Sequence, residues 1–449
     1  MGFIKNSRNT YIKFKLGLSP QQTLFYGFLT YITVGFLVLS IPFLQHKPVA
    51  WIDNLFTAAS AVSTTGLLTV PLTDSYNFFG QLVILILIQL GGIGYLTFTT
   101  FVILSTTRKM THWHQKILQT EFTLPNTLKI KDFLKSVVLF TLIMETIGII
   151  MYFFAFKEVG FTFWNAIWSA IFHSVSAFCT AGFSLDPNGF TAYLDNGLIN
   201  ATTSILAISG SLGFIVVTDL YLYLRNKDHS LSFTTKIIIY GFICLLTLGT
   251  LLLYFTEPTL STLESKERFM VSFFQSMSAM TTVGFNTIDF GLFSQAVLLI
   301  TIFLMYVGAS PSGTAGGIKI TTLTAILAIM KSGLQGNKTV TFLRKRIPKD
   351  RLQIATSTFI FYTLLLILGT LLVSYTNDFK FEDILFEVAS ALGTVGLSTG
   401  ITADLDSFGK IILSLLMFIG RLGALTFGLA IWYKSKKNVK IINEEDLAL

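Results

Sequence analysis

The sequence predicts an all-α polytopic membrane protein: four helix–pore-loop–helix repeats arranged pseudo-fourfold around one central pore. Three observations predict it. Of 449 residues, 52% are hydrophobic and only 12% charged, against roughly 25% charged in an average soluble domain. The apolar residues gather in runs long enough to cross a hydrocarbon core, which takes about 20 residues of helix. One short glycine motif returns four times with a period of about 110 residues, the mark of an internally repeated architecture.

The apolar segments run over 24–44, 78–104, 133–156, 198–224, 237–255, 292–330, 354–375 and 411–433. The first follows a basic, polar start. It is too long for the apolar core of a signal peptide and lacks a small-residue cleavage site, so it is expected to stay as a span. The sixth is too long for one plain helix and is expected to break over 308–317, where small residues and a proline cannot sustain regular helix.

Between the members of each pair lies a shorter stretch ending in the motif, over 56–67, 172–183, 274–285 and 386–397. Aligned on their glycines, the stretches share a Phe, a Ser-Ala or Ala-Ser pair and a Thr in register. They close on Thr64-Thr65-Gly66-Leu67, Thr180-Ala181-Gly182-Phe183, Thr282-Val283-Gly284-Phe285 and Thr394-Val395-Gly396-Leu397. An echo follows 24 to 28 residues on, as Gly91-x-x-Gly94, Gly210-x-x-Gly213, Gly308-x-x-Pro311 and Gly420-x-x-Gly423. The expected organisation is an N-tail (1–20), repeats over 21–107, 132–225, 233–331 and 351–433, a basic linker (332–350) and a C-tail (434–449).

Two crossings per repeat return the chain to its starting side, so termini and inter-repeat linkers share one face. The charges agree: 24 of the 32 Lys and Arg fall in the tails and linkers, and six on the pore-loop side. By the positive-inside rule the common face, both termini included, is cytoplasmic, in a multi-pass protein of the cell membrane. Most Asp and Glu lie on the other side, between Asp53 and Asp406. They either draw cations to an acidic mouth or simply fill a face depleted of basic residues. The net charge of +8 therefore marks topology, and nucleic acid is excluded as a partner.

A potassium ion entering lipid must exchange its water shell for other oxygens without being held too tightly to leave, and rings of backbone carbonyls do this. Aiming carbonyls at an axis needs backbone angles that a Cβ disfavours, hence a glycine in each loop. A re-entrant loop at membrane depth is tolerated only where it lines a wet cavity or is buried in protein. Four Thr-x-Gly loops in register meet both demands. No converging nucleophile and base appear in the spans, so no enzyme is expected.

Paired helices around degenerate Thr-x-Gly loops, four to a chain, resemble the Trk/Ktr/HKT superfamily of potassium transporters, and most closely the membrane subunit of a bacterial Ktr system (KtrB/KtrD type). The resemblance covers nearly the whole chain. It implies potassium uptake, with carbonyls of the sixteen loop residues quoted above as the selectivity filter. A glycine at position 66 points to potassium, because serine there goes with sodium permeation in some plant members. A sodium-permeable or sodium-coupled transporter of the same fold is the alternative, and Na+ as an activating ion is implied by resemblance alone.

The resemblance also implies an intramembrane gate made by Gly308, Ser310, Pro311, Ser312, Gly313, Thr314, Gly316, Gly317 and Lys319, with Arg421 projecting toward the pore below the filter. A guanidinium at that depth costs about 2.5 to 3.5 kcal/mol unless paired or hydrated. Its roles are a positive barrier in the pore or a structural ion pair with Glu145 or Asp219. Implied partners are a second copy in a homodimer and a ring of cytoplasmic nucleotide-binding regulatory subunits (KtrA/KtrC type). Seven basic residues against the single acid Asp350 over 331–351 offer either those subunits or anionic membrane lipids a docking face. Cys179 and Cys244 are expected to be buried apolar residues, His112 and His114 to hold no metal, and His173 to serve packing.

Overall fold

The first span starts where the sequence supplies a cap. The Ser19 hydroxyl accepts from the Gln22 amide, the Gln22 side chain accepts from the Ser19 amide at 3.0 Å, and Pro20 takes the first helical position of α1, Pro20–Leu39. The computed structural model describes residues 18–94, 130–187, 189–225 and 230–432, and the side chains of all of these but 130–133. Most of the expected N-tail, the C-tail, most of the first linker, His112 and His114 lie outside the described residues.

Each repeat supplies a short helix ahead of its motif: α2 (Trp51–Ser63), α5 (Phe163–Phe178), α9 (Ser265–Thr281) and α13 (Phe381–Gly393). All are shorter than the length that spans a bilayer. Their in-register phenylalanines Phe56, Phe172, Phe274 and Phe386 are buried in the core. Around them stand α1, α4 (Ile130–Glu158), α8 (Phe233–Thr256) and α12 (Lys349–Thr376), which carry the four spans among the described residues that are each long and apolar enough to cross a membrane.

The second helices of the repeats are α3 (Phe78–Ile93), α6 (Gly197–Ser211), α10 (Gln295–Tyr306) and α14 (Ser407–Leu422). Each packs on the short helix of the next repeat: α3 on α5, α6 on α9, α10 on α13, and α14 back on α2. The circle is closed by the last repeat meeting the first, and the ion pair Lys410–Asp53 at 3.0 Å ties α14 to α2.

Only the sixth apolar segment was expected to break, and the structure breaks two others as well. Segment 198–224 is α6 followed by α7 (Phe214–Arg225) at 91°, and segment 411–433 is α14 followed by α15 (Ala424–Trp432) at 96°. The second glycine of each echo explains this: Gly213 and Gly423 take φ of 85° and 82°, left-handed values that a Cβ opposes. Gly94, at φ 91°, ends α3 in the same way, and the remainder of segment 78–104 lies outside the described residues.

The first glycine of the echo serves close approach. A Cβ on Gly91, Gly210 or Gly420 would lie 2.1, 2.0 or 2.2 Å from the carbonyl oxygen of Val62, Phe178 or Leu392, each four residues before a motif glycine. Gly420→Ala is expected to destabilise the protein by about 1–3 kcal/mol through overpacking. A thermal melt in detergent, read against Gly333→Ala, where nothing lies within 4 Å, checks it. Cys179 is buried as expected, whereas Cys244 is exposed on α8, on a face it shares with the exposed Tyr240, Leu248 and Leu251 and that no helix among the described residues covers.

Candidate functional site

Four threonines end or follow the short helices in the left-handed conformation: Thr64, Thr180, Thr282 and Thr394, with φ between 49° and 57°. The turn is held the same way in each repeat. The amide after the threonine, at Thr65, Ala181, Val283 or Val395, donates to the carbonyl of Ser60, Ser176, Ser278 or Ser390 at 2.8–3.1 Å. The motif glycine follows with positive φ again: 96°, 65°, 78° and 92° for Gly66, Gly182, Gly284 and Gly396.

These glycines meet. A Cβ on Gly66 would lie 2.4 Å from the Ala181 carbonyl oxygen, on Gly182 2.4 Å from that of Val283, on Gly284 2.1 Å from that of Val395, and on Gly396 2.1 Å from that of Thr65. Loop one touches loop two, two touches three, three touches four, and four touches one. The other twelve motif residues are buried behind the glycines. The arrangement is a ring of backbone with no room for a side chain at its narrowest level.

The serine six residues before each glycine holds its loop in two ways. In the leucine-ended loops, Ser60 and Ser390 accept from the amides of Gly66 and Gly396 at 3.0 and 3.1 Å. In the phenylalanine-ended loops, Ser176 and Ser278 donate to the carbonyls of Phe183 and Phe285 at 2.9 and 2.5 Å. The Phe285 ring also stacks on Phe190 at 4.2 Å.

Beneath the ring lies segment 309–317. Its ends are clamped by a two-residue parallel pairing of β1 (Val307–Gly308) with β2 (Ile318–Lys319), after which α11 (Ile320–Leu334) resumes. Ser310 and Thr314 donate amides to the carbonyls of Ser211 and Gly210 at the α6 break, and Ser312 receives Phe214 and Ile215. Thr314 accepts from the Thr180 hydroxyl at 3.1 Å, and the Gly316 amide donates to the Thr282 hydroxyl at 3.1 Å. A Cβ on Gly316 would lie 2.2 Å from Thr394 Oγ1. The segment is thus pinned to the loops of repeats two and three and lies tight under the fourth.

Two cations hold it. Lys319 Nζ donates to its own loop, at Ala315 and Gly316 carbonyls 2.5 and 2.8 Å away. Arg421 donates to the carbonyls of Thr314, Gly91 and Gly92, the last at 3.0 Å, and so ties the segment to the ends of α3 and α14. Desolvated carbonyls at helix breaks are good partners for a guanidinium. Glu145, one of the two acids considered as its partner, accepts from Gln89 at 2.9 Å.

Sequence reasoning missed the position nine residues before each glycine, occupied by Thr57, His173, Gln275 and Glu387, all buried. His173 Nε2 meets the Ser184 hydroxyl at 3.1 Å, Gln275 donates to the Ile288 carbonyl at 2.8 Å, and Glu387 receives Ser398, Thr399 and Thr402. The signal was polar residues recurring in register directly after the repeated Phe.

A family profile described as TrkH, cation transport protein, matches residues 29–441. The chain belongs to the TrkH family. Among its relatives, the Ktr system potassium uptake protein B of Bacillus subtilis (strain 168) is 33% identical over 94% of this chain and 95% of its own length. The potassium/sodium uptake protein NtpJ of Enterococcus hirae is also 33% identical, over 94% of each. The crystal structure of the potassium transporter TrkH from Vibrio parahaemolyticus superposes with a TM-score of 0.71, at 21% identity, over 90% of this chain and 84% of that one. That likeness establishes the fold of this TrkH-family member: mostly helical, multi-pass and shared with a transporter.

Proposed function

We propose that this TrkH-family protein carries potassium inward across the cell membrane, driven by the membrane potential, with the ring of Thr-x-Gly loops as its selectivity filter. The observation that carries the reading is the closure of the ring, in which the carbonyls of Thr65, Ala181, Val283 and Val395 each crowd the glycine of the preceding loop. Carbonyls so placed replace the hydration shell of a dehydrated cation. The names of the Bacillus and Enterococcus relatives agree in potassium uptake.

Segment 309–317 is the gate in this reading. It lies against the loops, and the threonine hydroxyls of loops two and three hold it there. Arg421 places a positive charge in the same tier and raises a barrier to cations. Both termini face the cytoplasm, a homodimer is the working unit, and a ring of nucleotide-binding subunits docks on the cytoplasmic face. The name Ktr system in the relative implies such a separate subunit. The antiparallel pair β3 (Thr341–Phe342) and β4 (Lys345–Arg346) sets exposed basic residues on the linker, suited to that subunit and to anionic lipid. A second reading, sodium permeation or sodium activation, is favoured by the potassium/sodium name of the Enterococcus relative.

Potassium and sodium flux into liposomes tests both readings, with wild type and Gly284→Ser. A side chain at φ 78° with a Cβ 2.1 Å from the Val395 carbonyl must distort the ring, and potassium is expected to lose about tenfold in preference over sodium. Equal selectivity in the two proteins sinks the filter assignment, and wild-type flux favouring sodium selects the second reading.

A further inference from the structure

We propose that in the second, third and fourth repeats the residue nine positions before the motif glycine sets ion discrimination by bracing the chain where it leaves the ring, and that Glu387 is the principal positioning residue of this kind. The proposal rests on the filter reading. Its basis is a repeated geometry. In three of the four repeats, a buried polar side chain reaches from the short helix across to the two to six residues that follow the glycine.

The braces differ in strength. His173 reaches the Ser184 hydroxyl and accepts from the Leu185 amide at 3.3 Å. Gln275 makes one bond, to the Ile288 carbonyl. Glu387 accepts three: the Ser398 hydroxyl at 2.5 Å and the Thr399 amide at 3.0 Å on one oxygen, and the Thr402 hydroxyl at 2.7 Å on the other. In the first repeat the residue two beyond the glycine is Leu68, whose side chain has no polar atom to receive a brace. The ring is therefore stiffened unequally, most strongly at the fourth loop, where Glu387 is fully buried and holds three residues that follow Gly396.

Hydrogen bonds to a buried carboxylate are among the strong ones, and a buried donor left without its acceptor loses that stabilisation in full. Truncating Glu387 frees the Ser398–Thr402 turn and lets the Val395 carbonyl drift from the axis. Discrimination by a carbonyl ring depends on the number and reach of its oxygens, so drift in one quarter admits the smaller ion. A residue that served stability alone would alter yield and melting without changing the preference between two ions.

The test is the potassium-to-sodium flux ratio in liposomes for Glu387→Ala, Glu387→Gln and Ser398→Ala, beside Gly284→Ser. Glu387→Ala is expected to lower the ratio about tenfold, the scale of losing charge-assisted bonds. Glu387→Gln, able to accept from Thr399 and donate to Thr402, is expected to restore most of it. Ser398→Ala, at a partly exposed residue and hence well tolerated, is expected to shift the ratio about threefold in the same direction, and it decides the matter if the alanine at 387 does not fold. An unchanged ratio in Glu387→Ala, or in Ser398→Ala where the former is not obtained, overturns the proposal. If Gly284→Ser shifts the ratio while these do not, only the brace is wrong; if none shifts it, the filter reading itself fails.

Discussion

Gly396→Ala is expected to abolish uptake, lowering potassium flux by about a hundredfold or more, as ångström-scale misplacement does in other preorganised sites. The new methyl would stand 2.1 Å from the Thr65 carbonyl oxygen and 3.1 Å from Gly66 Cα, at φ 92°. Both neighbours are backbone, so no side chain can swing away, and relief requires the first and fourth loops to part. A strained left-handed residue by itself costs about 1–3 kcal/mol, which alters stability more than transport. Gly160→Ala separates the two effects, since it shares a positive φ of 100° but has nothing within 4 Å. Flux per folded protein in liposomes is the measurement. Comparable flux in the two variants would show that the ring is not the conducting constriction.

Arg421→Gln is expected to raise basal potassium flux while leaving the potassium-to-sodium ratio unchanged. The guanidinium bridges segment 309–317 at Thr314 to the end of α3 at Gly91 and Gly92, and no other described side chain makes a hydrogen bond between that segment and the first repeat. Hydrogen bonds to a charged group contribute about 1.5–3 kcal/mol each, so losing one shifts the balance between docked and released segment by about tenfold or more. Removal of the positive charge acts in the same direction by lowering the barrier to cations. Lys319→Met makes a useful contrast. Lys319 bonds carbonyls of its own loop and none of its neighbours', so its loss is expected to change flux less. Flux at or below the wild-type level in well-folded Arg421→Gln would assign the arginine to packing alone.

Much of the site was legible because backbone geometry dictates residue type. A left-handed position that must also let another backbone come within touching distance admits glycine almost exclusively, so Gly66, Gly182, Gly284 and Gly396 announced themselves. The recurring Phe and Ser were visible as a register, and their tasks became clear only in three dimensions: Phe386 fills core, and Ser390 holds the amide of Gly396. The bends at Gly213 and Gly423 were hidden because hydropathy stays high through them, and a glycine within an apolar run is more often a packing surface than a hinge. Glu387 was read only as one of many acids on the loop side.

By itself the sequence determined the class of the protein and the number of its repeats, because burial in lipid demands long apolar runs and a repeated backbone task demands a repeated glycine. It also determined where the sixth apolar segment would break, since Gly308 to Gly317 cannot form a continuous helix. Only the tertiary structure decided what meets what: that the loops close in cyclic order, that Arg421 bonds carbonyls of Gly91, Gly92 and Thr314, and that Glu387 braces the chain beyond the fourth glycine. These pairings join residues from different repeats, or across a turn, through close backbone approach and individual hydrogen bonds. No periodicity or composition encodes such bonds, because each depends on where the packed helices bring two backbones within about 3 Å.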